Sequence, residues 1–330
     1  MNPSRHLDLQ TIRAAQARIT PYVLHTPLRT IEQRRLWLKC ENRQRTGSFK
    51  LRGALNKVLG LGREELGRGV VAVSAGNHGL GVAYAARLRG IRATVFVPEH
   101  AVARKVAGIQ AMGGDVIRVA GDYAAAEAAG IAHAVRTGAA WISPYNDRAV
   151  IAGQGTIGLE LAGDLEFGRG SGWSVFLPAG GGGLLAGVGV ALKSTFPEFR
   201  VIGIQPKASP YLQVHFRGGD MGTVHEQPTL AEGLAGAVEP GSMTLDMFRE
   251  VADDVLLVEE AQIQDAIVWA AGTLGEVVEP SGAAALAAYL TSGVNGNCIV
   301  VLSGGNIDPG LYHRLMRVGG APGSNPQTSS

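Results

Sequence analysis

Ser174-Val175-Phe176-Leu177-Pro178-Ala179-Gly180-Gly181-Gly182-Gly183-Leu184 passes from an apolar run through four glycines into a Leu-, Ala- and Gly-rich stretch ending near Lys193. Read as strand, glycine turn and helix, it has the geometry of an anion site. Glycines let backbone N–H groups approach a phosphate, and the helix start adds unpaired donors with a favourable dipole. The run lacks the Lys-Ser/Thr ending of a Walker loop and is too compact for a Gly-x-Gly-x-x-Gly dinucleotide fingerprint. By itself such a run also serves as a flexible turn.

The same theme recurs along the chain. Apolar, β-branched runs predict strands at Val70 to Ser74, Ala93 to Val97, Val116 to Val119, Val201 to Gln205, Val255 to Val258 and Cys298 to Leu302. Helical patterns lie between them at Leu80 to Arg89, Ala101 to Met112, Tyr123 to Thr137, Leu184 to Lys193 and Ala261 to Ala271, with Gly113-Gly114 as a C-cap. Strands that read as continuous apolar runs and alternate with helices predict an α/β protein built on parallel sheets covered on both faces.

Length and composition narrow the class. At 330 residues the chain can hold two lobes, and 46% hydrophobic against 18% charged residues describes a globular protein. A net charge of +2 with no long basic run leaves no electrostatic footprint for nucleic acid. Cys40 and Cys298 are far apart and lack ligand spacing, which argues against a disulfide framework or a zinc site. The residues from Met1 to His6 contain no apolar signal core, and apolar runs elsewhere break before membrane-spanning length, so a cytoplasmic protein without membrane contact is expected. The turn-rich stretches Gly60 to Gly69 and Ser143 to Arg148 are the candidate lobe boundaries, and the Gly-, Pro- and Ser-rich residues 319–330 read as a mobile tail.

Three further segments carry chemistry. Ser74-Ala75-Gly76-Asn77-His78-Gly79 follows a strand and precedes a helix, where a hydroxyl, an amide and successive N–H groups suit a carboxylate. Ser74 or Asn77 would equally well cap the helix. Thr46-Gly47-Ser48-Phe49-Lys50-Leu51-Arg52-Gly53 sets one lysine among small and apolar residues, and a desolvated lysine loses pKa and attacks aldehydes. Alone it reads as well as a surface lysine at a helix start. Ser303-Gly304-Gly305-Asn306 ends the last strand, with a neutral hydroxyl available to a buried ligand atom.

Taken in order, these segments resemble the fold-type II pyridoxal-phosphate enzymes, most closely the threonine/serine dehydratase family that includes serine racemase. The resemblance also rests on Thr26-Pro27-Leu28, Lys39-Cys40-Glu41-Asn42, Ile151 to Thr156, Ala231-Glu232-Gly233 and Glu279-Pro280-Ser281-Gly282-Ala283. It implies a tryptophan synthase beta-like fold of two open, twisted, mainly parallel sheets flanked by helices. A large lobe would comprise residues 1–60 plus 146–330, and a small lobe residues 61–145. It further implies that Lys50 carries pyridoxal 5′-phosphate beside Phe49, that Asn77 bonds the cofactor's 3′-oxygen, that Gly180, Gly181, Gly182, Gly183 and Leu184 bind its phosphate, and that Ser303 meets its pyridine nitrogen. The substrate carboxylate would lie against Ser74, Ala75, Asn77 and His78. Glu279 would lie near the cofactor in no assigned role, and a homodimer is usual in the family.

The reaction implied is loss of water from a small L-hydroxy-amino acid, yielding a 2-oxo acid and ammonia, with Lys50 as the base. A β-substituted serine of the phenylserine or hydroxyaspartate type, racemisation and β-replacement are the alternatives on the same scaffold; a non-catalytic phosphate-ligand sensor would need no Lys50. Two family comparisons sharpen the expectation. Gln205 and Tyr211 stand where metal-activated relatives place ligands, so no strong divalent-cation activation is expected. Ala75 stands where racemases carry a second serine, so little racemisation is expected. The chain ends soon after Ser303, and no C-terminal regulatory domain is expected.

Overall fold

A computed structural model describes residues 7–165, 172–294 and 296–319. The chain opens with α1 (Leu9–Ile19), β1 (Leu28–Ile31), β2 (Leu36–Lys39) and α2 (Lys50–Leu59). It continues through α3 (Arg63–Arg68), β3 (Val70–Val73), α4 (Asn77–Arg89), β4 (Ala93–Pro98), α5 (Ala103–Ala111), β5 (Gly114–Val119), α6 (Tyr123–Thr137), β6 (Ala140–Trp141) and α7 (Arg148–Asp164). The remainder is β7 (Trp173–Pro178), α8 (Gly183–Lys193), β8 (Arg200–Pro206), α9 (Tyr211–Phe216), α10 (Met243–Val251), β9 (Asp254–Val258), α11 (Glu260–Trp269), α12 (Pro280–Thr291), β10 (Asn297–Val301) and α13 (Pro309–Gly319).

The strands form two open sheets. One has six strands in the order β1-β2-β10-β7-β8-β9, antiparallel only at its β1-β2 edge; the other has four parallel strands in the order β5-β4-β3-β6. Every apolar run predicted as a strand is one. The alternation of apolar strand and helix demanded parallel pairing, because a parallel neighbour can be reached only by a crossover. The reading missed β1, β2 and β6. β1 and β6 are short and lie at sheet edges, and β2 is only four residues long, Leu36–Lys39. Isolated runs of this kind gain strand character from the neighbour they pair with.

Helix ends shifted more than strand ends. α4 begins at Asn77, three residues before the predicted Leu80, because Gly76 serves as its N-cap. Gly113, at φ +93°, follows the α5 C-cap Met112 in the left-handed conformation that favours glycine, and Gly114 already opens β5. The tail from Gly319 lies outside the described residues, apart from Gly319 itself, which closes α13.

Between the sheets, α2, α7 and α8 pack with almost no side chains separating them. A Cβ on Gly153 of α7 would strike the backbone of Arg52 and Gly53 on α2, and one on Gly187 of α8 would strike Ile151 O and Gly155 of α7. Part of the glycine excess therefore serves helix contact rather than turns. α2 also contributes Leu51, Ala54, Leu55 and Val58 to the core under the four-stranded sheet, with Val70, Ala72, Val82 and Ala93. The helix that begins at Lys50 is thereby clamped on two sides, and its N-terminus faces the carboxyl ends of β3 and β10.

Candidate active site

The segment before α2 is stitched to the loop after β10. Ser48 forms an antiparallel bridge with Gly304, Phe49 N donates to Ser303 O (3.1 Å), and Gly305 N donates to Gly47 O (2.9 Å). These contacts bring Lys50 and Ser303 together across roughly 250 residues of chain. Lys50 starts α2, and its Nζ donates to Pro144 O at 2.9 Å and lies 5.2 Å from the Phe49 ring centre. Burial pushes its amine down to about 8, against an opposing pull from Glu279.

The next residue along, Tyr145, carries the site to the glycine run. Its ring occupies the space that a side chain on Gly181 would need, and its backbone lies 3.2 Å from a would-be Cβ on Gly183. Gly182 has φ +84° and caps α8 without a side chain. The first-turn N–H groups of α8 are thus offered to a ligand rather than to a capping residue, as an anion site requires. A phosphate group fits this cradle of backbone N–H groups.

The loop after β3 completes the site. Ser74 Oγ accepts from Gly76 N (3.0 Å), so it holds the turn and does not cap α4. Asn77 does not cap it either: its Nδ2 donates to Glu279 Oε1 (2.5 Å) and its Oδ1 accepts from Asn306 Nδ2 (2.6 Å). Both cap readings therefore fail: Ser74 shapes the turn, and Asn77 is held between Glu279 and Asn306. His78 is buried, and its Nε2 lies 2.8 Å from Ile142 O. A carbonyl only accepts, so Nε2 bears the hydrogen and Nδ1 is left as a buried acceptor without a partner in the protein. Burial, then the nearby Lys50, holds the His78 imidazole down to about 3, so it is neutral. Ala75 is half-buried at the edge of the apolar cluster formed by Ala83, Val95, Val97, Val106 and Ile109.

The structure thus gathers Phe49, Lys50, Ser74, Ala75, Asn77, His78, the loop Gly180 to Leu184 and Ser303 at the carboxyl ends of β3, β7 and β10, where ligands of open α/β sheets bind. Sequence reasoning missed Pro144 and Tyr145. They fall in a stretch noticed only as a lobe boundary, and neither residue type announces chemistry. Gln205 is buried with its amide oxygen accepting from Gln213 N (2.8 Å), and Tyr211 opens α9. Among the described residues no cluster of three or more His, Cys, Asp or Glu is placed to hold a metal, and no helix is long and apolar enough to cross a membrane.

A strand-ended glycine cradle and a desolvated lysine are the parts that an enzyme of the pyridoxal-phosphate class requires. The family described as "Pyridoxal-phosphate dependent enzyme" matches residues 15–304, and the chain belongs to it, with pyridoxal phosphate as cofactor. Within it the chain falls in the threonine dehydratase/serine racemase family. It is 40% identical over 321 residues to an L-threonine ammonia-lyase of Thermotoga maritima, covering 95% of this chain and 79% of the relative. It is 37% identical to a serine racemase of Arabidopsis thaliana, covering 92% of this chain and 94% of the relative. Maize serine racemase superposes with a TM-score of 0.85 at 34% identity, covering 95% of this chain and 98% of that one.

Proposed function

We propose that this protein eliminates water from a small L-hydroxy-amino acid of the threonine or serine type, giving a 2-oxo acid and ammonia. Pyridoxal phosphate supplies the electron-withdrawing conjugation that makes the substrate's Cα–H acidic. The chain's own residues do the rest. Lys50 Nζ, desolvated and held by Pro144 O, has its amine brought down to about 8, so far more of it is unprotonated near neutrality than in an ordinary lysine, and it takes the Cα proton. The α8 start and the glycines before it would hold the phosphate through N–H groups, and Ser303 would offer a hydroxyl rather than a carboxylate to the cofactor's ring nitrogen. The turn Ser74 to His78 receives the substrate carboxylate.

The observation that favours elimination over racemisation is Ala75. Racemisation needs proton removal on one face of Cα and proton delivery on the other. A methyl group can do neither, whereas elimination needs no proton carrier on the opposite face of Cα: the proton that Lys50 removes can be returned to the departing β-hydroxyl, which leaves as water. The similarity to L-threonine ammonia-lyases at 40% and 41% identity supports the same reading. We read the two sheets as two lobes, residues 1–60 with 146–330 and residues 61–145, the protein as a cytoplasmic homodimer, and Gln205 and Tyr211 as lost metal positions.

Ammonia and 2-oxo acid release across serine, threonine, phenylserine and 3-hydroxyaspartate tests the reading, with D-serine separated from pyruvate in the serine arm. The expected result is ammonia from threonine or serine and little D-serine. D-serine forming as fast as pyruvate, or release only from a bulky or acidic substrate, would replace it with one of the alternatives. Ala75→Ser is expected to raise the trace of D-serine.

A further inference from the structure

Asn77 is held by a chain of hydrogen bonds whose direction is set at one end by the backbone. Thr46 O can only accept, so Asn306 Nδ2 donates to it (2.9 Å). The same Nδ2 donates to Asn77 Oδ1 (2.6 Å), which fixes which end of the Asn77 amide is oxygen. At the other end, Asn77 Nδ2 donates to Glu279 Oε1 (2.5 Å). An amide nitrogen has two hydrogens. One is committed to Glu279, and one remains to donate.

Glu279 itself is placed with care. It precedes α12 as its N-cap, yet its side chain makes no cap bond. Its N–H donates to Gly304 O (3.0 Å), and its carboxylate lies over Gly304, where any side chain would collide with it. Burial lifts its carboxyl to about 7. Its carboxylate accepts from the Asn77 amide and from the backbone N–H of Asn306 and forms none of the ion pairs among the described residues, so its hydrogen bonds fall on the same Asn77–Asn306 pair.

We propose that Glu279 is a positioning residue: by accepting from Asn77, it completes the alignment of that amide and leaves one Nδ2–H to donate to an oxygen of the cofactor. The proposal rests on the reading of Asn77 as a cofactor contact. Without Glu279 the amide keeps one anchor, at Asn306, and swings about it. With Glu279 it has two anchors of opposite polarity, and the donor direction is unique.

The test is a double-mutant cycle on the holoenzyme, read by pyridoxal-phosphate dissociation and by the wavelength and pH dependence of the bound cofactor's absorbance. Asn77→Ala and Glu279→Ala are each expected to weaken cofactor binding about tenfold, the scale of one well-made hydrogen bond, and to shift the absorbance alike. Because Glu279 acts through Asn77, the double variant should match Asn77→Ala within about twofold. Losses that multiply would overturn the proposal while leaving Asn77 in its role. An Asn77→Ala variant with unchanged affinity and absorbance would overturn the reading of Asn77, and the proposal with it. Glu279→Gln covers the case in which the Ala variant fails to fold. Its amide oxygen still accepts from Asn77, so it should keep the wild-type spectrum and affinity; a Gln variant that behaves like Asn77→Ala would also overturn the proposal.

Discussion

Two cations stand two residues apart near the start of α2, and the fold treats them oppositely. Arg52 is fully buried in a network that satisfies it: Nε and Nη2 bond both oxygens of Glu41 at 2.8 Å, and Nη1 and Nη2 bond Glu160 at 2.6 and 2.9 Å. Lys39, also fully buried, adds 2.7 Å and 3.3 Å contacts to Glu160 and Asp164. Burial opposes the Arg52 charge, yet Glu41 and Glu160 hold the guanidinium above its ordinary value. Lys50, about 200° around the helix, meets a carbonyl, an aromatic ring and a neutral histidine instead, and its pKa falls. Burial alone therefore does not make a lysine reactive. What does is burial without a carboxylate in ion-pair contact, the pull of Glu279 being too weak to offset desolvation, and the contrast shows which of two neighbouring cations is built for stability and which for chemistry.

The contrast breaks first on Lys50. Lys50→Ala is expected to abolish the visible absorbance of the Lys50-bound cofactor and to lower turnover by at least about 10³-fold, the upper range for a lost general base. Steady-state kinetics with threonine and an absorbance scan check this. Retained elimination with retained absorbance would mean that the desolvated amine is not the catalytic one.

Stability sharpens it next, because the two residues should respond with opposite signs. Arg52→Met leaves Glu41 buried without its bidentate partner and is expected to cost roughly 3–5 kcal/mol, read as a lower denaturation midpoint. Lys50→Met removes an unpaired cation and is expected to raise the melting temperature of cofactor-free protein. The folded state holds the Lys50 pKa below its unfolded value of 10.5, at about 8. The lysine's penalty is then complete below pH 8 and fades as pH rises toward 10.5, so the gain from Lys50→Met should fade over the same window. A gain that persists at high pH would point to packing rather than charge.

The smallest expected effect is none at all. Chelation followed by added magnesium should leave activity unchanged, since Gln205 spends its amide oxygen on Gln213 N. Activity lost to the chelator and restored by magnesium would assign a metal role outside the two cations compared above.

How much of this was legible in the chain differs by kind of interaction. The glycine run at residues 180–183, the turn at residues 74–79 and the lysine at position 50 are visible as local patterns at a strand end or a helix start, but each pattern alone reads as well as a turn, a cap or a surface lysine, and only their order along the chain, through the resemblance, implied a site. Tyr145 is not visible even as a pattern. Its role comes from lying against Gly181, and nothing within several residues of it foretells that contact. Nothing in the sequence around Arg52 marks it as buried, because its carboxylate partners lie as far as 108 residues away. The short strands β1, β2 and β6 were lost for a related reason: their identity comes from the strands they pair with.

By itself the sequence determined the class of fold, and the resemblance carried by its ordered motifs implied the cofactor. Apolar period and glycine placement are properties of neighbouring residues, and local sterics and backbone hydrogen bonding act on neighbours. Only the tertiary structure decided which buried charge is paired and which is not, which way the Asn77 amide points, and that the cap readings of Ser74 and Asn77 fail. Those outcomes depend on groups brought together from positions 41, 52, 160, 279 and 306, and desolvation and Coulomb attraction respond to distance in space, which chain position does not encode.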